Sequence, residues 1–418
     1  MLDQTQAIES LRLDEFFDEP GAPTAGPAPV PDAAQALTKV QAAMDYLAKR
    51  FLERESVIKA AMVAFVARKN LLLIGPPGTA KSELVSSLAE LLNGCNYFQW
   101  LLSKFTTPEE LFGPVSLRSL EQDAYRRITT AKLPEAHVAF LDEVFKASSA
   151  ILNALLTLMN ERLFYNNGAP VRTPLVSVIG ASNEFPEEGE NLSALFDRFH
   201  LRFELSYLGD GAFLDMLNGA ATGWGITAYR PQLSLADLEA LQAAGDRATV
   251  PIATLNTLRE IRRELVKEGI TPSDRRFVNG LALLKAHAVL DGRDQVMDED
   301  LSILAHSLWE EPEQKAKVGT ILRQFGDKFT GQLEELVLDA KEVAEKALAN
   351  PEEVSETSKA IAKLKKIGRR LVDMEPDAGT KRKQTALREN FELVRQLHRT
   401  VHKMAFHVEA DFDFNLTK

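Results

Sequence analysis

The chain has 418 residues, of which 45% are hydrophobic and 26% are charged, and its formal net charge is −11. The length predicts two or three domains, and the composition is that of an ordinary globular protein. The single cysteine, Cys95, excludes an intramolecular disulfide and fits a reducing compartment. No apolar run approaches the roughly 20 residues of a membrane-spanning helix, and the acidic N-terminus does not resemble a signal peptide. We therefore expect a cytoplasmic protein without a membrane span.

Residues 1–32 are predicted to form a flexible leader. An acidic stretch with two phenylalanines, Asp14–Glu19, precedes a run rich in proline and glycine, Pro20–Pro29. Such a composition cannot bury a core. The alternative is a short docking motif, because Leu11, Leu13 and the two phenylalanines are apolar.

The stretch from Leu71 to Ser82 predicts a phosphate-binding loop. Residues 33–68 before it follow a helical pattern in two segments. Leu71–Ile74 is then predicted to form a buried strand, and residues 82–92 a helix. Strand, loop and helix N-terminus together make a cradle in which backbone N–H groups point at an anion. The residues of this cradle are Gly75, Pro76, Pro77, Gly78, Thr79, Ala80, Lys81 and Ser82.

Lys81 and Ser82 carry the chemistry of this loop. Lys81 would reach the β- and γ-phosphates of a nucleotide, and the Ser82 hydroxyl would hold Mg²⁺. Ala80 stands where the usual pattern, G-x-x-x-x-G-K-[ST], has its second glycine. Because alanine does not favour positive φ, we expect the loop to close slightly differently. The alternative is a turn that binds nothing, and the later motifs argue against it.

A second apolar run, Ala136–Glu143, ends in two carboxylates. Ligands of open parallel sheets bind at the carboxyl ends of the strands, so Asp142 and Glu143 are predicted to emerge beside the phosphates. Asp142 would support Mg²⁺ through its water shell, and Glu143 would accept a proton from the attacking water. The alternative is a strand that runs into an ordinary acidic turn.

The next segments predict a helix, a hairpin and a third buried strand. The helix covers Ser148–Glu161, and the hairpin covers Leu163–Arg172 with Asn167-Gly168 at its turn. The strand, Leu175–Asn183, ends in a polar amide. We expect Asn183 to orient the attacking water or the γ-phosphate, although an asparagine after a strand is often only a turn residue.

Arg198 lies at the end of a short helix that leads into another predicted strand. It is a candidate finger, a guanidinium that stabilises charge on the phosphoryl group transferred in a neighbouring subunit. The alternative is a surface salt bridge, and Arg202 is a competing candidate for the same role.

Beyond Tyr207 no further strand is expected. Residues 209–310 predict helices, and the glycine-rich stretch Gly211–Gly225 suggests a hinge. Arg275 or Arg276 is expected to face the nucleotide across the domain cleft. The predicted helices are 235–244, 253–268, 274–290 and 298–308.

Residues 311–418 predict a helical hairpin or bundle with helices at 314–349, 351–374 and 381–407. Residues 359–403 contain thirteen lysines and arginines against five acidic residues, a local net charge of +8. This excess supports an alternative function, a nucleic-acid-dependent ATPase, although solvated helix faces also explain it. Surface or packing roles are expected for His398, His402 and His407.

These motifs resemble the AAA+ ATPases, and within them the MoxR-type ATPases, most closely the RavA-like subfamily. The resemblance covers roughly residues 35–310, and that subfamily's pattern also shows alanine at the position of Ala80. The resembling stretches are Leu72-Leu-Ile-Gly-Pro-Pro-Gly-Thr-Ala-Lys-Ser82, Thr107-Pro-Glu-Glu-Leu-Phe-Gly-Pro-Val115, Leu133-Pro-Glu-Ala136, Leu152-Asn-Ala-Leu-Leu156, Asn160-Glu-Arg162, Ala181-Ser-Asn-Glu184 and Ser273-Asp-Arg-Arg276.

The resemblance implies a fold and a role for each site residue. The fold is α/β: an AAA+ αβα P-loop core with a parallel sheet (33–208), an all-α lid domain (209–310) and a C-terminal helical bundle (311–418). The implied roles are the Walker A pair for Lys81 and Ser82, the Walker B pair for Asp142 and Glu143, sensor 1 for Asn183, the arginine finger for Arg198 and sensor 2 for Arg275.

The resemblance also implies a function. Such proteins use ATP and Mg²⁺, form rings, usually hexamers, with sites between subunits, and act as chaperone-like motors on client protein complexes. They often work with a von Willebrand factor A-domain partner. The hairpin 163–172 would be the pre-sensor-1 hairpin, and residues 104–130 the insert that lines the central pore. A further alternative is a scaffold that uses ATP only to assemble.

Overall fold

The computed structural model describes residues 32–186, 190–222, 230–326, 328–349, 354–378, 381–406, 408 and 410–416. The predicted leader, apart from Asp32, lies outside these residues. So do the end of the proposed hinge stretch, Pro351 and His407. Within the described residues, no helix is both long and apolar enough to cross a membrane.

The elements alternate between helices and strands up to residue 204 and are mostly helical afterwards. Among the described residues, the helices are α1 (Ala33–Arg50), α2 (Glu55–Val66), α3 (Lys81–Leu91), α4 (Pro108–Phe112), α5 (Leu117–Leu120), α6 (Ser149–Glu161), α7 (Glu190–Arg198), α8 (Asp210–Thr222), α9 (Leu235–Arg247), α10 (Ile252–Lys267), α11 (Asp274–Leu290), α12 (Gln314–Gly326), α13 (Lys328–Ala349), α14 (Val354–Asp373) and α15 (Lys381–Phe406). The strands are β1 (Asn70–Ile74), β2 (Leu92–Asn93), β3 (Tyr97–Leu101), β4 (Val138–Asp142), β5 (Leu163–Asn166), β6 (Ala169–Arg172), β7 (Ser177–Ser182), β8 (Phe199–Glu204) and β9 (Leu233–Ser234).

A five-stranded parallel sheet in the order β3-β4-β7-β1-β8 forms the centre of the first domain. Every residue of β1 and β7 is buried, which is typical of a parallel sheet covered by helices on both faces. The order places β4, β7 and β1 side by side. The carboxyl ends of these three strands therefore lie next to one another. The predicted parallel-sheet core is confirmed.

Two small sheets accompany the large one. The predicted hairpin is formed by β5 and β6, with Asn167 and Gly168 both at positive φ in the turn. The expectation that strands stop at Tyr207 is wrong, because Leu233 and Ser234 of β9 pair with Leu92 and Asn93 of β2. Two-residue strands are too short for a periodic pattern, so only the tertiary contact reveals them.

The region expected to form the lid contains α9, α10, α11 and a 3₁₀ segment, Asp298–His306, which was expected to be an α-helix. Its Asp300 is fully buried and accepts hydrogen bonds from Arg293 and from the backbone of Met297. These contacts are not visible in a local pattern. The glycine-rich stretch predicted to contain a hinge forms the helix α8 up to Thr222.

The predicted helix 314–349 corresponds to α12 and α13, and residue 327 between them lies outside the described residues. Helix α12 packs against α10 and the 3₁₀ segment of the lid, and Val318, Ile321 and Leu322 are buried in the first core. Gly326 allows this close approach, because a Cβ there would lie 2.9 Å from Leu301 Cβ. Residues after the expected boundary at 310 thus still pack on the lid.

A second hydrophobic core lies within the bundle of α13, α14 and α15. The C-terminal segment folds back onto it, where Phe412 is buried against Phe391 and His398. The C-terminal helical bundle is therefore confirmed, and its core residues are separate from those of the first core.

Candidate functional site

The predicted phosphate loop leaves the sheet between β7 and β8. Gly75 N donates to Ser182 O at 3.0 Å, and Leu205 N donates to Ile74 O at 2.7 Å. A Cβ on Gly75 would lie 2.3 Å from Leu205 O, so only glycine fits here. A Cβ on Gly78, in contrast, would meet no atom within 4 Å, which leaves the concave side of the loop open.

Ala80 adopts the left-handed conformation, with φ 62° and ψ 25°, immediately before α3. The expectation that alanine would avoid positive φ and close the loop differently is therefore wrong. The conformation costs alanine about 1–2 kcal/mol. Its methyl group is exposed and meets no obstacle, and Ala80 O accepts the first bond of α3 from Leu84 N at 3.0 Å. The loop keeps the backbone path that glycine usually takes.

Lys81 is almost fully buried, and its ammonium group is turned onto polar atoms of the loop and of β7's end. Nζ donates to Gly75 O at 2.5 Å, Pro76 O at 3.1 Å and Asn183 Oδ1 at 3.1 Å. Burial lowers the pKa of Lys81, whereas Asp142 and Glu143 act to raise it. The cation therefore lies within a ring of oxygen atoms that an anionic phosphate could replace.

Ser82 and Asp142 provide hard oxygen atoms beside this lysine. Ser82 Oγ lies 3.5 Å from Asp142 Oδ2, and Asp142 Oδ1 accepts from Glu143 N at 3.0 Å. A hydroxyl and a carboxylate at the mouth of a phosphate cradle are the ligand types that Mg²⁺ prefers. The residues present therefore fit a magnesium nucleotide.

Glu143 has both carboxylate oxygens engaged. Oε1 accepts from Asn183 Nδ2 at 2.5 Å, and Oε2 lies 3.1 Å from Lys146 Nζ. The structure thus joins the predicted pair Glu143 and Asn183 directly. Sequence reasoning missed Lys146; the only signal was a lysine three residues after a glutamate.

A cleft of about 700 Å³ opens beside the loop. Its lining comes from α1, the start of α3, the segment after β8, and α8, and includes Tyr46, Phe51, Tyr207, Phe213 and Met216. Across it, Arg50 donates to Glu83 at 2.7 Å. Sequence reasoning missed this cleft because its walls lie far apart in the chain. Its size and apolar walls suit a small planar ligand.

Arg198 lies at the amino ends of the parallel strands, on the side of the sheet opposite to the phosphate loop. It immediately precedes β8, and its carbonyl accepts from Asn70, the first residue of β1, at 3.1 Å. The five residues of β1 span about 16 Å, so Arg198 cannot reach the phosphate loop of its own subunit. Its Nη1 lies 3.6 Å from Asp197 Oδ2, and its buried Nε has no partner among the described residues.

Arg275 lies near Arg198 at this second edge, not across the cleft from its own phosphate loop as expected. It donates to Asn160 Oδ1 at 2.8 Å. Burial, with Arg275 as the next cause, lowers the pKa of Arg198. Arg276 is only 2% exposed and bonded to Asp197 and Ser307. Of the two candidates, only Arg275 is accessible to another molecule.

Arg202, the competing finger candidate, is buried. It donates to the carbonyls of Phe196, Phe199 and Trp309, and its guanidinium lies 3.8 Å from the centre of the Phe196 ring. A side chain held in this way cannot extend into a neighbouring subunit.

Many positive charges of the bundle are paired with carboxylates. Asp411 binds Arg395 and Arg399, and Asp413 lies 3.1 Å from Lys365. Both aspartates lie beyond the segment 359–403, so the structure neutralises part of its charge excess. His398 is buried, as expected for a packing residue, and His402 binds Val408 O.

Family models match two parts of the chain. One, described as the MoxR domain in the MoxR-vWA-beta-propeller ternary systems, matches residues 38–243, and an AAA lid domain model matches residues 253–322. The first covers the phosphate loop and the residues at the ends of β4 and β7. The second covers α11 and most of α12, in agreement with the packing of α12 on the lid.

Relatives with similar sequences include two proteins of Methanocaldococcus jannaschii, both named as uncharacterized. MJ0812 is 38% identical over 288 residues, which is 67% of this chain and 74% of that protein. MJ0079 is 36% identical over 313 residues, 74% of this chain and 79% of the relative. Structural protein ORF618 of Acidianus two-tailed virus is 31% identical over 157 residues, 37% of this chain and 25% of that protein.

A solved structure of a candidate ATPase from Cytophaga hutchinsonii has the same fold. Its TM-score is 0.57 at 20% identity, and the match covers 70% of this chain and 95% of the other. The sheet order, the loop after β1, the helical lid and the matching family models agree with one another. The chain belongs to the MoxR family of AAA+ ATPases.

Proposed function

We propose that this protein hydrolyses ATP to ADP and phosphate, with Mg²⁺, at the loop after β1. One observation carries the proposal: Lys81 at the start of α3, Asp142 and Glu143 at the end of β4, and Asn183 after β7 contact one another directly or through a shared partner. A cation, two carboxylates and an amide beside an open loop are the groups that phosphoryl transfer to water requires.

Each group has a role that follows from its position. The backbone N–H groups of residues 78–82 and the ammonium group of Lys81 bind the phosphates. Ser82 and Asp142 supply the oxygen ligands of the magnesium site. Magnesium, when bound, neutralises charge on the phosphate oxygens. Glu143 accepts the proton of the attacking water, and Asn183 holds the Glu143 carboxylate and the water in place.

Arg198 and Arg275 would complete the site of a neighbouring subunit. Both lie at the sheet edge opposite the phosphate loop, so a head-to-tail ring would bring them to the next loop. We propose a homo-oligomer, by resemblance a hexamer, in which Arg198 acts as the finger and Arg275 as the second sensor. The expected interaction of Arg275 with nucleotide is then made between subunits.

We further propose a chaperone-like motor of the RavA type that remodels or assembles client protein complexes in the cytoplasm. The family model's own description, which joins MoxR to vWA and beta-propeller proteins, supports a von Willebrand factor A-domain partner. The exposed side chains of Phe105, Leu117 and Leu120, in the segment that resembles the pore-lining insert, supply an apolar surface for a client.

The test is the ATPase rate per subunit measured against protein concentration. We expect the wild-type rate to rise with concentration as rings form. Glu143→Gln should bind ATP but lose about 10²–10⁴-fold in turnover, and Arg198→Ala should lose about 10³-fold or more. Arg262→Ala, which removes an exposed lid ion pair with Asp274, is the matched control and should keep the full rate.

Normal turnover in Glu143→Gln would refute the assignment of the base. A rate that is independent of concentration and unchanged in Arg198→Ala would refute the shared site. Stimulation by DNA that weakens steeply with salt would favour the nucleic-acid alternative instead.

A further inference from the structure

Arg198 lies at the C-terminal end of α7. Side chains from three other elements donate hydrogen bonds to the last three backbone carbonyls of this helix. Phe196 O accepts from Arg202 of β8, Asp197 O from Arg276 of α11, and Arg198 O from Asn70 of β1. The last carbonyls of a helix have no partner within the helix, and cations near them are stabilising. The position of Arg198 is therefore fixed from outside α7.

Arg276 is the one of these three donors that comes from the lid. Its Nη1 donates to Ser307 O at 2.9 Å, at the end of the lid's 3₁₀ segment. Its Nη2 donates to Asp197 Oδ1 at 2.5 Å and to Asp197 O at 3.2 Å. One buried guanidinium thus ties α11 and residue 307 to the residue that precedes Arg198.

Asp197 lies between two arginines. Oδ1 binds Arg276, and Oδ2 lies 3.6 Å from Arg198 Nη1. Burial acts to raise the pKa of Asp197, but Arg276, Arg202 and Arg198 outweigh it, so the carboxylate stays ionised. The positive charge of Arg275 also acts on Arg198 and lowers its pKa, after burial. Asp197 is thus the carboxylate beside Arg198, and Arg276 fixes where it lies.

We propose that Asp197 and Arg276 form a positioning pair that holds Arg198 for the neighbouring subunit's nucleotide and makes its position depend on the lid. The inference rests on the shared site proposed above. Neither residue touches the nucleotide; both act through Arg198. A movement of α11 would displace Asp197 and, with it, the guanidinium that serves the next site.

Subunit mixing tests this pair. Asp197→Asn keeps the shape of the side chain and removes its charge, and Asp197 is exposed enough to tolerate the change. Alone, this variant should lose about 10- to 100-fold in kcat with KM for ATP within twofold of wild type, because misplacement by about 1 Å can cost 10²-fold. Arg276→Lys, which cannot bridge Ser307 and Asp197, should behave alike.

Each variant is then mixed with Lys81→Ala, whose own loop is inactive but whose Arg198 is intact. At some interfaces an Asp197→Asn subunit supplies the phosphate loop and a Lys81→Ala subunit supplies Arg198. Both parts of the site are then intact. Random mixing in equal amounts creates such a pair at about a quarter of the interfaces, so about a quarter of the wild-type rate should return. The matched control is Lys59→Gln, which removes another lid–core ion pair, Lys59–Asp291, and should keep the full rate unmixed.

Arg198→Ala, mixed in the same way, separates the possible failures. If Arg198→Ala regains activity with Lys81→Ala but Asp197→Asn does not, the pair acts only within its own subunit and the inference is overturned. Wild-type kcat in Asp197→Asn would overturn it as well. If Arg198→Ala also fails to regain activity, the shared site itself is wrong, and the inference falls with it.

Discussion

Ala80 offers a direct test of how the phosphate loop is held. The structure places this alanine at φ 62°, where glycine would be free of strain. We therefore predict that Ala80→Gly stabilises the nucleotide-binding core. The methyl group is exposed, so its removal loses little buried surface.

The expected gain follows from two opposing contributions. Relief of the left-handed conformation returns about 1–2 kcal/mol. The added freedom of glycine in the unfolded chain removes about 0.4–1 kcal/mol of that gain. The net stabilisation should be about 0.8 kcal/mol, within a range of about 0–1.6 kcal/mol.

Urea unfolding followed by tryptophan fluorescence measures this change in the correct domain. The three tryptophans lie at positions 100, 224 and 309, so none belongs to the C-terminal bundle. Ala131→Gly is a matched control, because Ala131 is exposed, has φ 58° and lies outside the phosphate loop. It should gain a similar free energy of unfolding.

A loss of stability in both variants would refute the reasoning that positive φ strains alanine here. Ala80→Val supplies the opposite change, since a β-branched residue at positive φ is a genuine outlier. It should destabilise the core relative to wild type. An unchanged unfolding midpoint in Ala80→Val would contradict the assigned conformation.

Three other predictions concern single side chains. Gly75→Ala should destabilise the core by about 1–3 kcal/mol and abolish binding of a fluorescent ATP analogue, because its Cβ would lie 2.3 Å from Leu205 O; tight binding would contradict that contact. Burial, and after it the charge of Lys315, lowers the pKa of His306 to about 4. The unfolded chain therefore binds the proton more readily than the folded one. The free energy of unfolding should decrease as the pH is lowered below about 6.5. From pH 7.5 to 5 this residue should cost about 2 kcal/mol in urea unfolding, a loss that His306→Gln lacks; equal slopes for both proteins would refute the prediction. Burial raises the pKa of Cys95 to about 11, so its alkylation at pH 8 should be about 100-fold slower than that of free cysteine and become ordinary in urea.

The architecture, and the proximity of Lys81, Asn183 and Glu143 to one another, could be predicted because their signals are local. Apolar runs mark β1, β4 and β7, and residues with clear chemistry lie at or just after the carboxyl end of each strand. A parallel sheet then requires those ends to lie together. The contacts of Lys81 with Asn183 and of Asn183 with Glu143 follow from this rule.

What could not be predicted depends on distant parts of the chain. The conformation of Ala80 is imposed by the loop between β1 and α3 against a local preference. Arg275 and Arg276 are adjacent and identical in type, yet packing exposes one and buries the other. The close approach of Gly326 to Leu301 is likewise a tertiary contact, which no helical periodicity contains.

The sheet order also affects how the chain folds. The inner strand β1 pairs with β7 and β8, so Leu72 lies between Gly180 and Arg202, more than a hundred residues further along the chain. Such non-local pairing slows folding, because the chain loses the entropy of loop closure before the stabilising contacts between the strands can form. During synthesis the edges of β1 stay unpaired until residue 204 has been made, which exposes them to aggregation. The helices of the bundle are neighbours in sequence, so each can pack against the next soon after it has been made.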